Sequence, residues 1–268
     1  MRRLRAAGAA VLLMGCVHAA VAEGDSIVEI DRPGQPPLRY LATVPEGKPP
    51  SAGALLFVGG DGVLDLAGKG IPRPGNSFLL HARRVFAEHG LAVAAFDPGT
   101  GPLSDQDRMS AAHAEEARRV LRDFRQRYKL DRITLIGTSR GTISAALLAL
   151  RFRGEIDGVV LASTVFASSR TGPGLEGFDF GQIGVPLLFL HHRYDACPVT
   201  PPSGAQALSD RYAVIFLEGG QKKGEPCGPF SPHGFLGQES EAVSAISAWM
   251  LRQQPSSPGF WRPEMAPR

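Results

Sequence analysis

G-T-S-R-G, residues 137–141, separates an apolar run of strand length, 133–136, from T-I-S-A-A-L-L-A-L, residues 142–150, which has the composition of a buried helix. The pentapeptide alone decides little. In a chain with 32 glycines and this serine content, chance supplies about 0.25 matches to Gly-x-Ser-x-Gly. Its place at a strand-to-helix turn carries more weight. Such a turn holds its serine in a strained backbone conformation and packs strand against helix, so glycine is required at the flanking positions 137 and 141. Ser139 is then presented at a helix N-terminus, where the dipole favours developing negative charge.

Working outward, near-continuous apolar runs fall at 54–58, 91–96, 133–136, 159–162, 186–190 and 213–217. Runs of this kind suit strands covered on both faces. Helical spacing lies between them: Leu79, Ala82, Val85 and Phe86; Ala117, Val120, Leu121, Phe124 and Tyr128; and Ala242, Val243, Ile246, Trp249 and Met250. This alternation predicts an α/β domain with a doubly wound, mostly parallel sheet flanked by helices. Before it, 26–30 and 38–44 flank the turn-rich 31–37 and predict an N-terminal β-hairpin. The Gly-rich stretch 164–184 has no clear period and reads as a long loop rather than a lid.

The 268 residues, 43% of them hydrophobic, are enough for one domain with a substantial core. The domain is placed at 23–252, followed by an irregular Pro-rich tail, 253–268. Residues 1–22 have Arg2, Arg3 and Arg5 before a short apolar core and end in Ala20-Val21-Ala22, the pattern of a secretory signal peptide. Leu13-Met14-Gly15-Cys16 also resembles a bacterial lipoprotein box, which makes a lipid anchor at Cys16 the alternative to cleavage after Ala22. Either route takes the domain out of the cytoplasm. Loss of 1–22 removes three arginines and no acid, so the formal charge falls from +3 to zero. A nucleic-acid partner is therefore not expected, and no stretch is long and apolar enough for a transmembrane helix. Outside the cytoplasm, Cys197 and Cys227 either form a disulfide or remain a reduced pair.

A serine hydroxyl needs a base to take its proton and a third group to hold that base. Downstream of Ser139, Asp195 follows the strand 186–190, and His233 follows the strand 213–217 just before the last helix. All three lie in loops at one sheet edge, in the order Ser, acid, His. Two backbone donors are needed for a tetrahedral oxyanion. The Arg140 N–H is one candidate; Gly60 or Asp61, in Gly59-Gly60-Asp61-Gly62 after the first long strand, supplies the other. Among neighbouring residues, His191 and His192 leave a strand on opposite faces and read as packing, not metal ligands. Asp97 reads as a turn former, the Arg140 side chain as an exposed first-turn charge, and Phe235 as loop packing.

Together, the glycine turn 59–62, the elbow 137–142, the acid loop 191–197 (H-H-R-Y-D-A-C) and the histidine loop with Pro226-Cys227 and His233-Gly234-Phe235 resemble the α/β-hydrolase superfamily. The resemblance spans about 54–251 and is strongest to small secreted bacterial serine hydrolases of the dienelactone-hydrolase and esterase kind. It implies a Ser139-Asp195-His233 catalytic site, a paired Cys197 and Cys227, a small-molecule acyl or ester substrate, and no cofactor or metal. Val58 stands where many relatives carry histidine before the glycine turn. The expected activity is that of a carboxylesterase-like serine hydrolase. A non-catalytic exported binding protein, or an acyltransferase or peptidase with the same three residues, is the alternative.

Overall fold

The computed structural model describes residues 24–72, 77–99 and 101–253. The leader read over 1–22 and all but the first residue of the tail read over 253–268 lie outside the described residues.

Eight strands form one sheet among the described residues: β1 (Gly24–Arg32), β2 (Gln35–Val44), β3 (Ala52–Phe57), β4 (Ala92–Asp97), β5 (Arg132–Thr138), β6 (Gly158–Ala162), β7 (Leu187–His192) and β8 (Ala213–Leu217). Their order across the sheet is β1-β2-β4-β3-β5-β6-β7-β8. β1 and β2 form the N-terminal antiparallel hairpin, and β2 continues antiparallel to β4. From β4 through β8 every neighbouring pair is parallel. The uninterrupted apolar runs arise because β3, β4, β6 and β7 are buried along their whole length.

Alternate side chains supply two cores. On one face Leu55, Phe57, Leu135, Leu161 and Phe189 pack beneath α4 (Ala111–Tyr128) and α5 (Gly141–Arg151). On the other, Leu56, Ile136, Val160, Leu188 and Leu190 pack with residues of α1 (Phe78–His81), α2 (Arg83–Glu88) and α7 (Glu239–Arg252). The first helical pattern is thus two short helices, separated at Ala82.

Two further helices escaped the periodic reading, because five residues cannot establish a period. α3 (Asp105–Met109) is held by a capping box in which Ser104 Oγ accepts from Asp107 N–H and the Asp107 carboxylate accepts from Ser104 N–H. α6 (Pro202–Gln206) starts with a proline in its first turn. The stretch 164–184 is a packed loop with one 3₁₀ turn, Phe180–Ile183. Phe166 and Phe180 contact Phe189, and Phe166 also stacks on His191 at 5.6 Å, anchoring the loop to β7.

Strand order positions the site. From β3 the chain moves to β4 on one side, then returns to β5 on the other, so the crossover direction reverses between β3 and β5. In an open α/β sheet, the crevice beyond the carboxyl ends at such a reversal is where ligands bind. Phe57 and Gly137 lie level across the β3–β5 pair, so the glycine turn after β3 meets the serine turn after β5.

Candidate active site

Ser139 sits between the end of β5 and the start of α5 with φ at 52°, a left-handed conformation that strains a residue carrying a Cβ. Its backbone is fixed on both sides. Ser139 N–H donates to Ala162 O at 3.0 Å, and its carbonyl accepts from Thr142 N–H at 2.8 Å and Thr142 Oγ1 at 2.6 Å. The two flanking glycines are steric requirements. A Cβ on Gly137 would strike the Gly141 carbonyl group, and one on Gly141 would strike the Phe57 carbonyl oxygen. Gly59 is also confined, since a Cβ there would stand 3.0 Å from that of Ser139.

Asp195 follows β7 and is buried. Its Oδ1 accepts from Cys197 N–H at 2.9 Å, while Oδ2 lies 3.0 Å from His233 Nδ1 and accepts from Thr200 Oγ1 at 2.8 Å. His233 lies on a 3₁₀ turn, Pro232–Gly234, whose N-cap Ser231 accepts from the histidine N–H at 3.2 Å. The His233 carbonyl accepts from Ser163 Oγ at 2.8 Å. Ser163 is itself buried in a left-handed conformation at the end of β6, with φ at 46°. With Nδ1–H donated to the carboxylate, Nε2 carries the free lone pair. That Nε2 atom is buried and has no partner among the described residues.

Ser139 and His233 line one cavity of about 360 Å³, shared with Gly59, Gly60 and Asp61. No hydrogen bond joins Ser139 Oγ to His233 Nε2 in the structure. Bonds of this kind tighten when substrate is bound. Val58, Val63, Leu64, Phe78, Leu80 and Pro229 provide much of the apolar wall. Asp97 does more than turn the chain: its carboxylate accepts from Leu64 N–H at 2.8 Å and Leu66 N–H at 2.9 Å, tying that wall to the end of β4.

The N–H groups of Gly60, Asp61 and Arg140 donate to no described residue. The Arg140 side chain is not the exposed charge that its first-turn position suggests. Its Nε and Nη2 donate to Asp105 Oδ1 at 2.9 and 2.7 Å, and Nη1 to Gly60 O at 3.2 Å. A carboxylate reaching it from α3 reverses the local expectation. Phe235 is loop packing, buried with its ring 4.9 Å from that of Phe78.

His191 and His192 are both buried. His191 Nε2 accepts from Thr164 N–H at 3.0 Å, and His192 Nδ1 accepts from Tyr194 N–H at 3.1 Å. Burial pushes His191 down to about 4, so it stays neutral beside the Asp195–His233 pair. Thr200 and Ser163 are parts of this site that the chain order did not reveal. A hydroxyl several residues from an acid has no distinguishing local pattern.

Cys197 and Cys227 form a disulfide with their Cα atoms 4.7 Å apart. It ties the acid loop to the histidine loop, and Cys227 lines the cavity. The two residues are 30 apart in sequence, for which the chain-entropy model predicts stabilisation of about 3.5 to 4 kcal/mol. Replacing both by serine should lower the free energy of unfolding by an amount of that order. Urea unfolding checks this, and a loss under about 1 kcal/mol would contradict it.

The sequence pattern of the family described as the alpha/beta hydrolase fold matches residues 81–217, just over half of the chain. No curated protein sequence matches. Among solved structures, Est1E from Butyrivibrio proteoclasticus is similar with a TM-score of 0.59 at 14% identity, covering 85% of this chain and 98% of that one. Dienelactone hydrolase from Anabaena variabilis gives 0.57 at 15% identity, covering 85% of this chain and 97% of that one. An α/β serine hydrolase without lid from Xanthomonas campestris gives 0.56 at 17% identity, covering 88% and 97%. With its sheet order, its strained serine turn and the match over 81–217, the chain belongs to the α/β-hydrolase family.

Proposed function

We propose that this protein is an exported serine hydrolase that cleaves an ester or related acyl bond through an acyl-enzyme. One observation carries the reading: a buried Asp195–His233 pair leaves a single unpartnered ring nitrogen, and that histidine lines the same cavity as a serine held at a strained turn. Membership of the family and the esterases among its structural neighbours agree with it. Export rests on the leader pattern at 1–22, with the Cys197–Cys227 disulfide suiting an oxidising compartment.

In this mechanism Ser139 Oγ attacks the acyl carbon while its proton passes to His233 Nε2. Asp195 holds the imidazole by Nδ1 and stabilises the imidazolium. The tetrahedral oxyanion is received by backbone N–H groups of Arg140 and the glycine turn. As the intermediate collapses, the leaving alkoxide takes the proton from Nε2, and Ser139 keeps the acyl group. A water then gives its proton to Nε2 and attacks the acyl carbon. Collapse of the second intermediate returns the proton to Ser139 Oγ and frees the carboxylic acid.

The cavity walls favour a small uncharged acyl group. Among the described lining residues there is no Lys or Arg, and Val58, Val63, Leu64, Phe78, Leu80 and Pro229 line the cavity that Ser139 shares. A fluorophosphonate should attach to Ser139, with the adduct located by peptide mass spectrometry. Short-chain p-nitrophenyl esters should then be cleaved faster than long-chain ones. Recovery of unmodified Ser139 from folded protein would overturn the proposal.

A further inference from the structure

Arg108, on α3, is the most unusual buried group outside the Ser139, Asp195 and His233 set. It is 2% exposed, and among the described residues it has no carboxylate partner. Its Nη1 donates to Ser144 Oγ at 3.0 Å and its Nη2 to Gly60 O at 3.0 Å, while Nε has no partner. Burial, and then the like charge of Arg140, lower it to about 10, which leaves it cationic at neutral pH. A buried guanidinium with no carboxylate bonded to it recovers only part of its lost solvation from the nearby Asp105, Asp61 and Asp107, so an apolar side chain of similar size would serve stability at least as well.

The Gly60 carbonyl accepts a second guanidinium donor, Arg140 Nη1, at 3.2 Å. Arg140 is held in turn by Asp105, which is 2% exposed and one helical turn from Arg108 on α3. Two guanidinium groups therefore converge on one carbonyl oxygen, with the carboxylates of Asp105 and Asp61 close enough to offset their charge. All peptide bonds among the described residues are trans, and a trans peptide directs its N–H opposite to its C=O. Fixing Gly60 O toward the arginines thus turns the N–H of the same peptide unit, that of Asp61, to the opposite side.

Two later donors in this turn are already committed, while the Gly60 N–H, like that of Asp61, has no partner among the described residues but belongs to a peptide unit that the arginines do not hold. Gly62 N–H donates to Gly59 O at 3.2 Å, and Val63 N–H to Asp61 Oδ1 at 3.1 Å. Asp61 O accepts from Leu103 N–H at 2.8 Å, which fixes the next peptide plane. Asp61 N–H remains without a partner among the described residues, on a residue that lines the cavity with Ser139. Gly60 has φ at 60° with open space around it, so its glycine is needed for the backbone conformation rather than for room.

We propose that Arg108 and Arg140 are positioning residues that clamp the Gly60 carbonyl and so aim the Asp61 N–H at the developing oxyanion. The inference rests on Ser139 being the nucleophile and chooses Asp61 over Gly60 as the second donor. Arg108 acts through the peptide, not by touching substrate.

The test compares wild type with R108M, which removes the clamp and its charge at similar length, and R108K, which restores the charge and one donor. For the preferred short-chain ester, kcat of R108M should fall by about 10²-fold, within the range for loss of an oxyanion donor, while KM changes less than about 2-fold. Affinity for a trifluoromethyl ketone mimic of the tetrahedral state should fall by the same factor, and R108K should recover about 10-fold of each. If R108M does not fold, R108Q, which is too short to reach Gly60 O, is measured instead with the same expected result. A folded R108M or R108Q with kcat within about 3-fold of wild type overturns the inference. So does a loss of kcat with unchanged affinity for the ketone. Wild type that neither labels at Ser139 nor cleaves esters refutes the parent mechanism instead, so the two failures are distinguishable.

Discussion

Replacing Ser139 by alanine lowers kcat for a short-chain ester by about 10⁶-fold, and adding His233→Ala to that variant costs almost nothing more. The reason is that the two groups perform one act. Without the hydroxyl, Nε2 of His233 has no proton to accept; without the imidazole, the hydroxyl is too weak a nucleophile to attack. Each single loss should therefore approach the double loss. The residual rate, about 10³-fold above water, comes from the backbone donors and the cavity. Steady-state rates of the two single variants and the double variant check this. Losses that multiply in the double variant would show that Ser139 and His233 do not act together.

Asp195→Asn lowers kcat by about 10⁴-fold while leaving the fold in place. Oδ1 can still accept from Cys197 N–H, so the acid loop keeps its turn. The damage falls at Oδ2, which lies 3.0 Å from His233 Nδ1 and accepts from Thr200 Oγ1. An amide NH₂ there donates where the carboxylate accepted. It pushes the imidazole proton from Nδ1 to Nε2, the nitrogen that must be free to receive the Ser139 proton. Circular dichroism should match wild type, separating this effect from unfolding. A folded variant that retains more than about a tenth of wild-type kcat would remove Asp195 from the proposed role.

The inner strands β3, β4, β6 and β7 were legible because each buries both faces, which writes an unbroken apolar run at each of those crossings of the sheet. The elbow was legible for a steric reason: Gly137 and Gly141 stand where any side chain would strike backbone. α3 was not legible. At five residues it lacks a period, yet it carries Asp105 and Arg108, and through them the clamp on Gly60. Arg140 shows the limit of local reasoning most sharply. Its place in a first helical turn predicts a free, exposed charge, and only a carboxylate 35 residues earlier in the chain makes it a half-buried tie.

What the amino-acid order determined by itself is whatever depends on near neighbours: strand and helix alternation, the glycine-flanked serine turn, and the succession of serine, acid and histidine after successive strands. Tertiary structure alone decided that β3 lies between β4 and β5, that Thr200 and Ser163 brace the Asp195–His233 pair, and that two arginines share one carbonyl. The division follows from range. Periodicity and steric turns act over a few residues and leave a mark in composition, whereas a hydrogen bond across 48 residues, such as Arg108 to Gly60, exists only after the chain has closed and its register is set.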